Sequence, residues 1–340
     1  MNRKSCIRRM LLFVLCVSLV SCGNYPGRGP NSTVKHTFIQ NSFASVVWSK
    51  DNIMMKIDQN STALVSAPNR IIASAIQPKV LYAFDTSTGE IVWEQNGSLP
   101  QTIAIHDAVL YTSDLNIIQA YNVNNGERVW EATTHYAGSF LFINFLDDKI
   151  FLYSSNNSFF ILDSYGRVLK STEPYYFPMP YIVGDDVTYA GDDYGIVALE
   201  TKTGNIIWRT DIEEHDFAIP YFSENNIYLR TGTSVIPGSV YAIDKNDGEI
   251  LWKNDSDAIS NLCFWGDNLY FLTWDGYLMV LNQETGLEVA KLEFSPRPFI
   301  LPTAEWRLGG YYVTSDPINN VIAVSLGDSY QLLALKINNP

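Results

Sequence analysis

The stretch Tyr82-Ala83-Phe84-Asp85-Thr86-Ser87-Thr88-Gly89-Glu90-Ile91-Val92-Trp93 decides the fold. It reads as a β-strand, a four-residue turn closed by glycine, and a second strand ending in tryptophan. The phrase returns as Ala120-Tyr121-Asn122 with Gly126 and Trp130, and as Ala198-Leu199-Glu200 with Gly204 and Trp208. It returns again as Ala242-Ile243-Asp244 with Gly248 and Trp252. Weaker copies run Ile161-Leu162-Asp163 with Gly166, and Val280-Leu281-Asn282 with Gly286; a partial copy, Ala334-Leu335-Lys336, lies near the C-terminus. The six glycines are spaced 37, 40, 38, 44 and 38 residues apart. A period of this size marks a repeat architecture.

The physics of the phrase is local. The Asp or Asn carboxyl or amide oxygen accepts backbone N–H groups inside the turn. The glycine supplies a positive φ that a side chain would oppose. The small alanine lets a neighbouring sheet approach, and the tryptophan brings a large apolar area to the strand end. A unit of about 40 residues and four strands cannot bury both faces alone, whereas units stacked radially can, which predicts an all-β protein folded as a β-propeller.

The phrase resembles the repeat of the PQQ-like, or quinoprotein-type, β-propellers, roughly Tyr-Ala-Leu-Asp-x-x-Thr-Gly-x-x-x-Trp. The resemblance covers nearly all of residues 40–337, and four copies match closely. It implies a fold more strongly than an activity, because function resides in sites. The enzymes of that family resemble one another in an adjacent cysteine pair over the quinone and in a calcium held by Glu, Asn and Asp. This chain has neither motif, so no cofactor and no catalytic residue are expected.

The N-terminus carries a different signal. Arg3, Lys4, Arg8 and Arg9 precede an apolar run from Met10 to Val20. That run is too short for a membrane-spanning helix and fits a secretory signal over residues 1–21. It leads into Leu19-Val20-Ser21-Cys22, which resembles a bacterial lipobox and implies lipidation of Cys22, hence anchoring in the cell envelope through more than one acyl chain. Gly23 and Asn24 follow; with no Asp after the cysteine, the resemblance favours the periplasmic side of the outer membrane. Residues 22–36 are rich in Gly, Pro, Asn and Ser and read as a flexible tether to a propeller spanning 37–340.

Composition supports this reading. Aromatic residues make up 13% of the chain, which suits strand pairing. No sustained 3.6-residue apolar period is present, so almost no helix is expected. The net charge is −13, and removal of the four signal-sequence cations makes it about −17, which argues against nucleic acid as a partner. Cys6 and Cys16 fall in the signal, and Cys263 is left in the apolar run Leu262-Cys263-Phe264-Trp265, so no intramolecular disulfide is expected.

Strand patterns divide the chain into blades over 62–95, 101–132, 138–172, 177–210, 216–254 and 258–294, with a seventh built from 311–315, 321–326 and 330–337. Lys170 stands where the third blade would have its Trp. The seventh lacks an outer strand. Ala44-Ser45-Val46-Val47-Trp48 has the missing character and is predicted to pair with about 331–337, removing an exposed sheet edge. The count is seven blades, or eight if 37–60 contributes more. Residues 295–308 read as an insertion loop.

Candidate metal ligands reduce to turn residues. Asp147-Asp148, Asp185-Asp186 and Asp192-Asp193 lie where turns are expected and lack the regular oxygen spacing of a calcium loop. His36, His106, His135 and His215 form no zinc pattern, and no Gly-x-Ser-x-Gly elbow is present. A lipobox joined to a single propeller resembles the family of outer-membrane assembly lipoproteins, BamB. That implies an envelope protein as partner and a scaffold role, with a periplasmic quinoprotein-type or carbohydrate-active enzyme as the alternative. That family has eight blades, and no partner-contacting residue carries over.

Overall fold

A computed structural model describes residues 35–55, 62–97, 100–134, 140–146, 148–154, 158–171, 179–184, 186–191, 194–214, 220–232, 236–297, 299 and 310–338. The signal sequence, Cys22, Asp147, Asp185, Asp192, Asp193, His135 and His215 lie outside the described residues, as does most of the expected insertion loop. Ser32–Pro340 forms one compact unit. Every regular element among the described residues is a β-strand.

The first repeat shows how one blade is built. Leu64–Ala67, Arg70–Gln77, Lys79–Asp85 and Ile91–Asn96 run antiparallel in chain order. The apolar side chains of the middle strands are buried on both faces, as Ile71, Ile72, Ala73, Leu81, Ala83 and Phe84 show. Such strands require a neighbouring sheet on each side. The outermost strand is buried chiefly through Trp93.

The pattern repeats, giving seven four-stranded units among the described residues. Units two to four occupy Thr102–Thr133, Phe140–Ser171 and Met179–Asp211. Units five and six occupy Tyr221–Ala258 and Cys263–Ser295, joined by one pairing of Ala258 with Thr273. Tyr312–Asp316, Val321–Leu326 and Gln331–Ile337 supply three strands of the seventh.

The fourth strand of that last unit is Ala44–Lys50, paired antiparallel with Gln331–Ile337 from Ala44 opposite Ile337 to Lys50 opposite Leu332. The predicted closure by an N-terminal strand is the one found. Packing between consecutive blades forms the core. Ile72, Leu81, Ala83 and Trp93 of the first unit lie against Leu110 and Tyr121 of the second. Leu278, Val280 and Leu292 of the sixth lie against Val313, Ile322 and Leu335 of the seventh. Each fully buried aliphatic or aromatic side chain of this kind contributes about 1.5–3 kcal/mol.

Two short N-terminal pieces lie beside the blades. Met54–Met55 pairs with Arg70–Gln77. Thr37–Phe38 pairs with Phe294 and Ser295 on the outer strand of the sixth blade. His36, at the end of the stretch read as tether, is buried.

Candidate functional site: the blade seams

The repeat residues assemble at the seams, where the end of one blade meets the turn of the next. In register, each Trp faces the small residue of its own third strand: Ala83 with Trp93, Ala120 with Trp130, Ala198 with Trp208, and Ala242 with Trp252. Trp48 and Ala334 complete the same pair from the two ends of the chain. The indole then reaches across the seam. Trp48 Nε1–H donates to the Thr86 carbonyl at 2.8 Å, and Trp93 Nε1–H to Val123 at 2.9 Å. Trp130 donates to Ser164 at 2.9 Å, Trp208 to Lys245 at 3.2 Å and Trp252 to Gln283 at 3.0 Å.

The turn glycine is the floor on which each ring rests. A Cβ placed on Gly89 would lie 2.7 Å from Trp48, and one on Gly126 2.8 Å from Trp93. Gly166 meets Trp130 at 2.7 Å, and Gly248 and Gly286 meet Trp208 and Trp252 at 2.5 Å each. These glycines therefore satisfy two demands, a positive φ and an unobstructed face. Trp93 and Trp208 are buried, while Trp130 and Trp252 are half-buried.

The turns themselves are held by their acids and amides. Asp85 Oδ1 accepts the N–H groups of Ser87 and Thr88, each at 3.0 Å. Asn122, Asp163, Asp244 and Asn282 accept backbone N–H groups in the same way. Glu200 accepts the Thr203 hydroxyl at 2.5 Å. The Ser87 hydroxyl, ahead of the backbone groups, holds the Asp85 carboxyl below the usual carboxylate range.

The seam between blades three and four differs. Lys170 faces Ile161 at the register position of the Ala–Trp pair, and it is exposed. Gly204 keeps its left-handed conformation at φ +74°, yet nothing lies within 4 Å of where its Cβ would be. The seam after blade six also lacks a Trp, since Ala290 faces Val280 there. The seventh blade, however, has no turn between its last two strands, because the two ends of the chain supply them.

Two polar clusters stand out that the repeat does not predict. Between Ile212 and blade five, Lys253 Nζ lies 2.8 Å from Glu214 and 3.0 Å from Asp255. Ser239 donates to Glu214 or to Asp255, at 3.0 and 2.8 Å, and the Tyr241 hydroxyl donates to Glu214. Burial pushes the Glu214 carboxyl up, but the hydrogen bonds from Lys253, Tyr241 and Ser239 together bring it below its ordinary range. Hydrogen bonds from Lys253 and Ser239 lower Asp255, and those carboxylates raise Lys253. An ammonium held this way is a poor nucleophile and a good structural tie.

The second cluster is sealed. His36 Nε2 lies 2.7 Å from Asp328, Nδ1 2.9 Å from the Pro296 carbonyl, and the side chains of His36 and Asp328 are both fully buried. The ring edge rests on Phe299, with centroids 4.9 Å apart. His106 is elsewhere, stacked on Phe145. Among the described residues, no group of three or more His, Cys, Asp or Glu side chains is arranged to hold a metal ion. Cys263 is buried, which pushes its thiol up to about 12. A polar cleft of about 280 Å³ lies between blades one and two, lined by Gln95, Asn96, Thr112, Asp114, Gln119 and Tyr121 among others.

The repeat-bearing sequence matches a known family. The family described as outer membrane protein assembly factor BamB matches residues 44–169 and 171–302. The chain belongs to that family. It is 21% identical over 264 residues to the outer membrane protein assembly factor BamB of Shewanella oneidensis, covering 68% of this chain and 63% of that protein. It is 24% identical over 190 residues to a tetrathionate hydrolase of Acidithiobacillus ferrooxidans, covering 54% of this chain and 35% of the hydrolase. The chain thus spans less than two thirds of the length of these curated relatives. The crystal structure of BamB from Moraxella catarrhalis superposes with a TM-score of 0.53 at 16% identity, over 86% of this chain and all of that one. That likeness shows the same propeller fold.

Proposed function

We propose that this BamB-family propeller is a protein-binding scaffold of the bacterial cell envelope, acting in outer-membrane protein assembly. The observation that carries the reading is the family match across residues 44–302, which spans six of the seven blades. The site chemistry supports it. Lys253 is committed to Glu214 and Asp255, and His36 and Asp328 are sealed from solvent. Both clusters hold chain segments in place and present no poised acid, base or nucleophile to a substrate. The outer strands instead offer exposed apolar pairs, including Ile91 with Val92, Ile206 with Ile207 and Ile250 with Leu251, of the kind that contact other proteins.

The lipobox reading of Cys22 supplies the anchor in this proposal. Wild-type protein should take up labelled palmitate and sediment with membranes, and Cys22→Ala should lose both. Site-specific photocrosslinking from the outer strands in native membranes should then capture a defined component of the assembly machinery. Reaction with no envelope protein from any blade sinks the scaffold reading. Stoichiometric binding of PQQ with calcium would move the chain to the enzyme alternative.

A further inference from the structure

The seam between blades three and four holds a tryptophan receptor that the described residues leave open. We infer that the turn at Gly204 binds a tryptophan side chain of a partner protein, within an extended segment that carries a carboxylate beside the indole. The inference deepens the scaffold reading and rests on it.

The molecule's own filled seams are the template. In five seams an indole lies flat on a turn glycine and donates its N–H to the carbonyl two or three residues earlier. The receptor therefore has two parts, a bare glycine face and an aligned carbonyl. Gly204 supplies the first: its φ of +74° matches Gly89 at +71° and Gly126 at +73°. The Thr201 carbonyl, three residues earlier, supplies the second, and no described side chain donates to it.

The register shows why the site is open. Blade three places Lys170 and Ile161 where the other blades place Trp and Ala. Lys170 is exposed, and the space over Gly204 is clear of described atoms. Gly89, Gly126, Gly166 and Gly248 are buried under their indoles, whereas Gly204 is exposed. Where the next blade has no turn to receive it, at Ala290, the Trp is absent together with its receptor; among the described residues, only at Gly204 is the receptor present alone.

The charge on the lips selects the rest of the ligand. Lys170 stands at the Trp position with no carboxylate partner among the described residues. Lys202, next to the Thr201 carbonyl, has Asp186 at 3.8 Å and is mostly exposed, and Glu200 is occupied by Thr203. An indole entering beside Lys170 is favoured when its own chain brings an acid to that ammonium. Tryptophan is also one of the residues enriched at binding hot spots.

The test uses the full mature chain and a synthetic peptide, acetyl-Gly-Asp-Trp-Glu-Gly-amide, with 5-fluorotryptophan as the Trp, followed by fluorine NMR. The wild type should shift and broaden the peptide resonance saturably. Lys170→Trp combined with Ile161→Ala rebuilds the internal pair and should cut affinity about tenfold or more, as loss of a central Trp contact does, while raising the melting temperature. Gly204→Ala puts a methyl group on the receptor floor and should do the same to affinity without the gain in stability. A wild type that leaves the resonance unchanged, or a double variant that binds as the wild type does, overturns the inference. If the peptide is ignored while crosslinking still captures a partner through other blades, this receptor fails and the scaffold reading stands. If the peptide binds and no envelope partner is found, the receptor stands and the scaffold reading fails.

Discussion

At the residue scale, the seams separate two roles of one glycine. Gly89 and Gly204 have the same left-handed backbone, so alanine at either carries about 1–2 kcal/mol of conformational cost. Only Gly89 lies under an indole, where a Cβ would sit 2.7 Å from Trp48. Gly89→Ala should therefore cost a further 1–3 kcal/mol, roughly the penalty for overpacking a filled site. Urea unfolding of the two variants checks this, and equal losses would show that the docked ring adds nothing. The ion cluster gives a second prediction at this scale. Glu214 and Asp255 are depressed in the fold, so their contribution is full above their unfolded values near about 4 and falls away as pH drops through the folded ones. Lys253 is raised, so its contribution is full below about 10.4 and is lost as pH climbs through its folded value. Both groups of the main pair are about a third exposed, and solvent screening keeps the effect modest. Melting temperatures of wild type and Lys253→Met, measured from pH 3 to 11, should differ most from about pH 5 to 10, narrow as pH falls toward 3, and only start to narrow at the alkaline end, because the folded ammonium stays charged well above its ordinary range.

At the scale of elements, the short strand Thr37–Phe38 and the residue before it act as a clamp on blades six and seven. Phe38 is buried against Phe294, and His36 reaches Asp328 and the Pro296 carbonyl. His36→Ala removes one partner of a fully buried acid that Tyr311 also contacts, and breaking such a buried pair costs up to about 3–5 kcal/mol. Lys35→Ala breaks an exposed pair with Asp51 and should cost at most about 1 kcal/mol. Chemical denaturation of the two variants should show that contrast; a neutral His36→Ala would remove the clamp from the picture. This clamp also marks where the sequence stops being legible. The repeat phrase reveals strands, turns and blade order, because those depend on contacts a few residues apart. It predicts the outer strand Ala44–Lys50 as well, since Trp48 carries the repeat's own signature. His36 and Asp328 are 292 residues apart and carry no repeat signature, so nothing local announces their pairing. The same holds for Glu214 with Lys253. That each Trp docks on the following blade's glycine is hidden for a related reason: the spacing from Trp to that glycine varies with loop length, from Trp93 and Gly126 to Trp208 and Gly248. Lys170 in place of Trp is visible in the sequence, but the open floor over Gly204 is visible only in three dimensions.

At the scale of the whole molecule, the ring is closed by its two ends. Ala44–Lys50 does two things for the seventh blade: it pairs the backbone of Gln331–Ile337, and through Trp48 it seals the first turn. The two contributions can be separated. Trp48→Ala removes the indole and keeps the strand, which should cost about 3–5 kcal/mol, the usual loss for a truncated core aromatic. Deleting residues 37–50 removes the indole, the clamp at Phe38 and the outer strand together. The strand Gln331–Ile337 would then present an unpaired edge of seven residues, much of it apolar on both faces, and edges of this kind recruit further strands. The deletion should unfold at lower denaturant than Trp48→Ala and form soluble oligomers or aggregates at concentrations where the point variant stays monomeric. Light scattering during thermal unfolding distinguishes the two. If the deletion matches Trp48→Ala in both stability and solubility, the backbone pairing of the termini contributes nothing and the ring does not depend on it. If it is weaker and sticky, closure of the sheet, more than the single indole, keeps the seven blades in one folded unit.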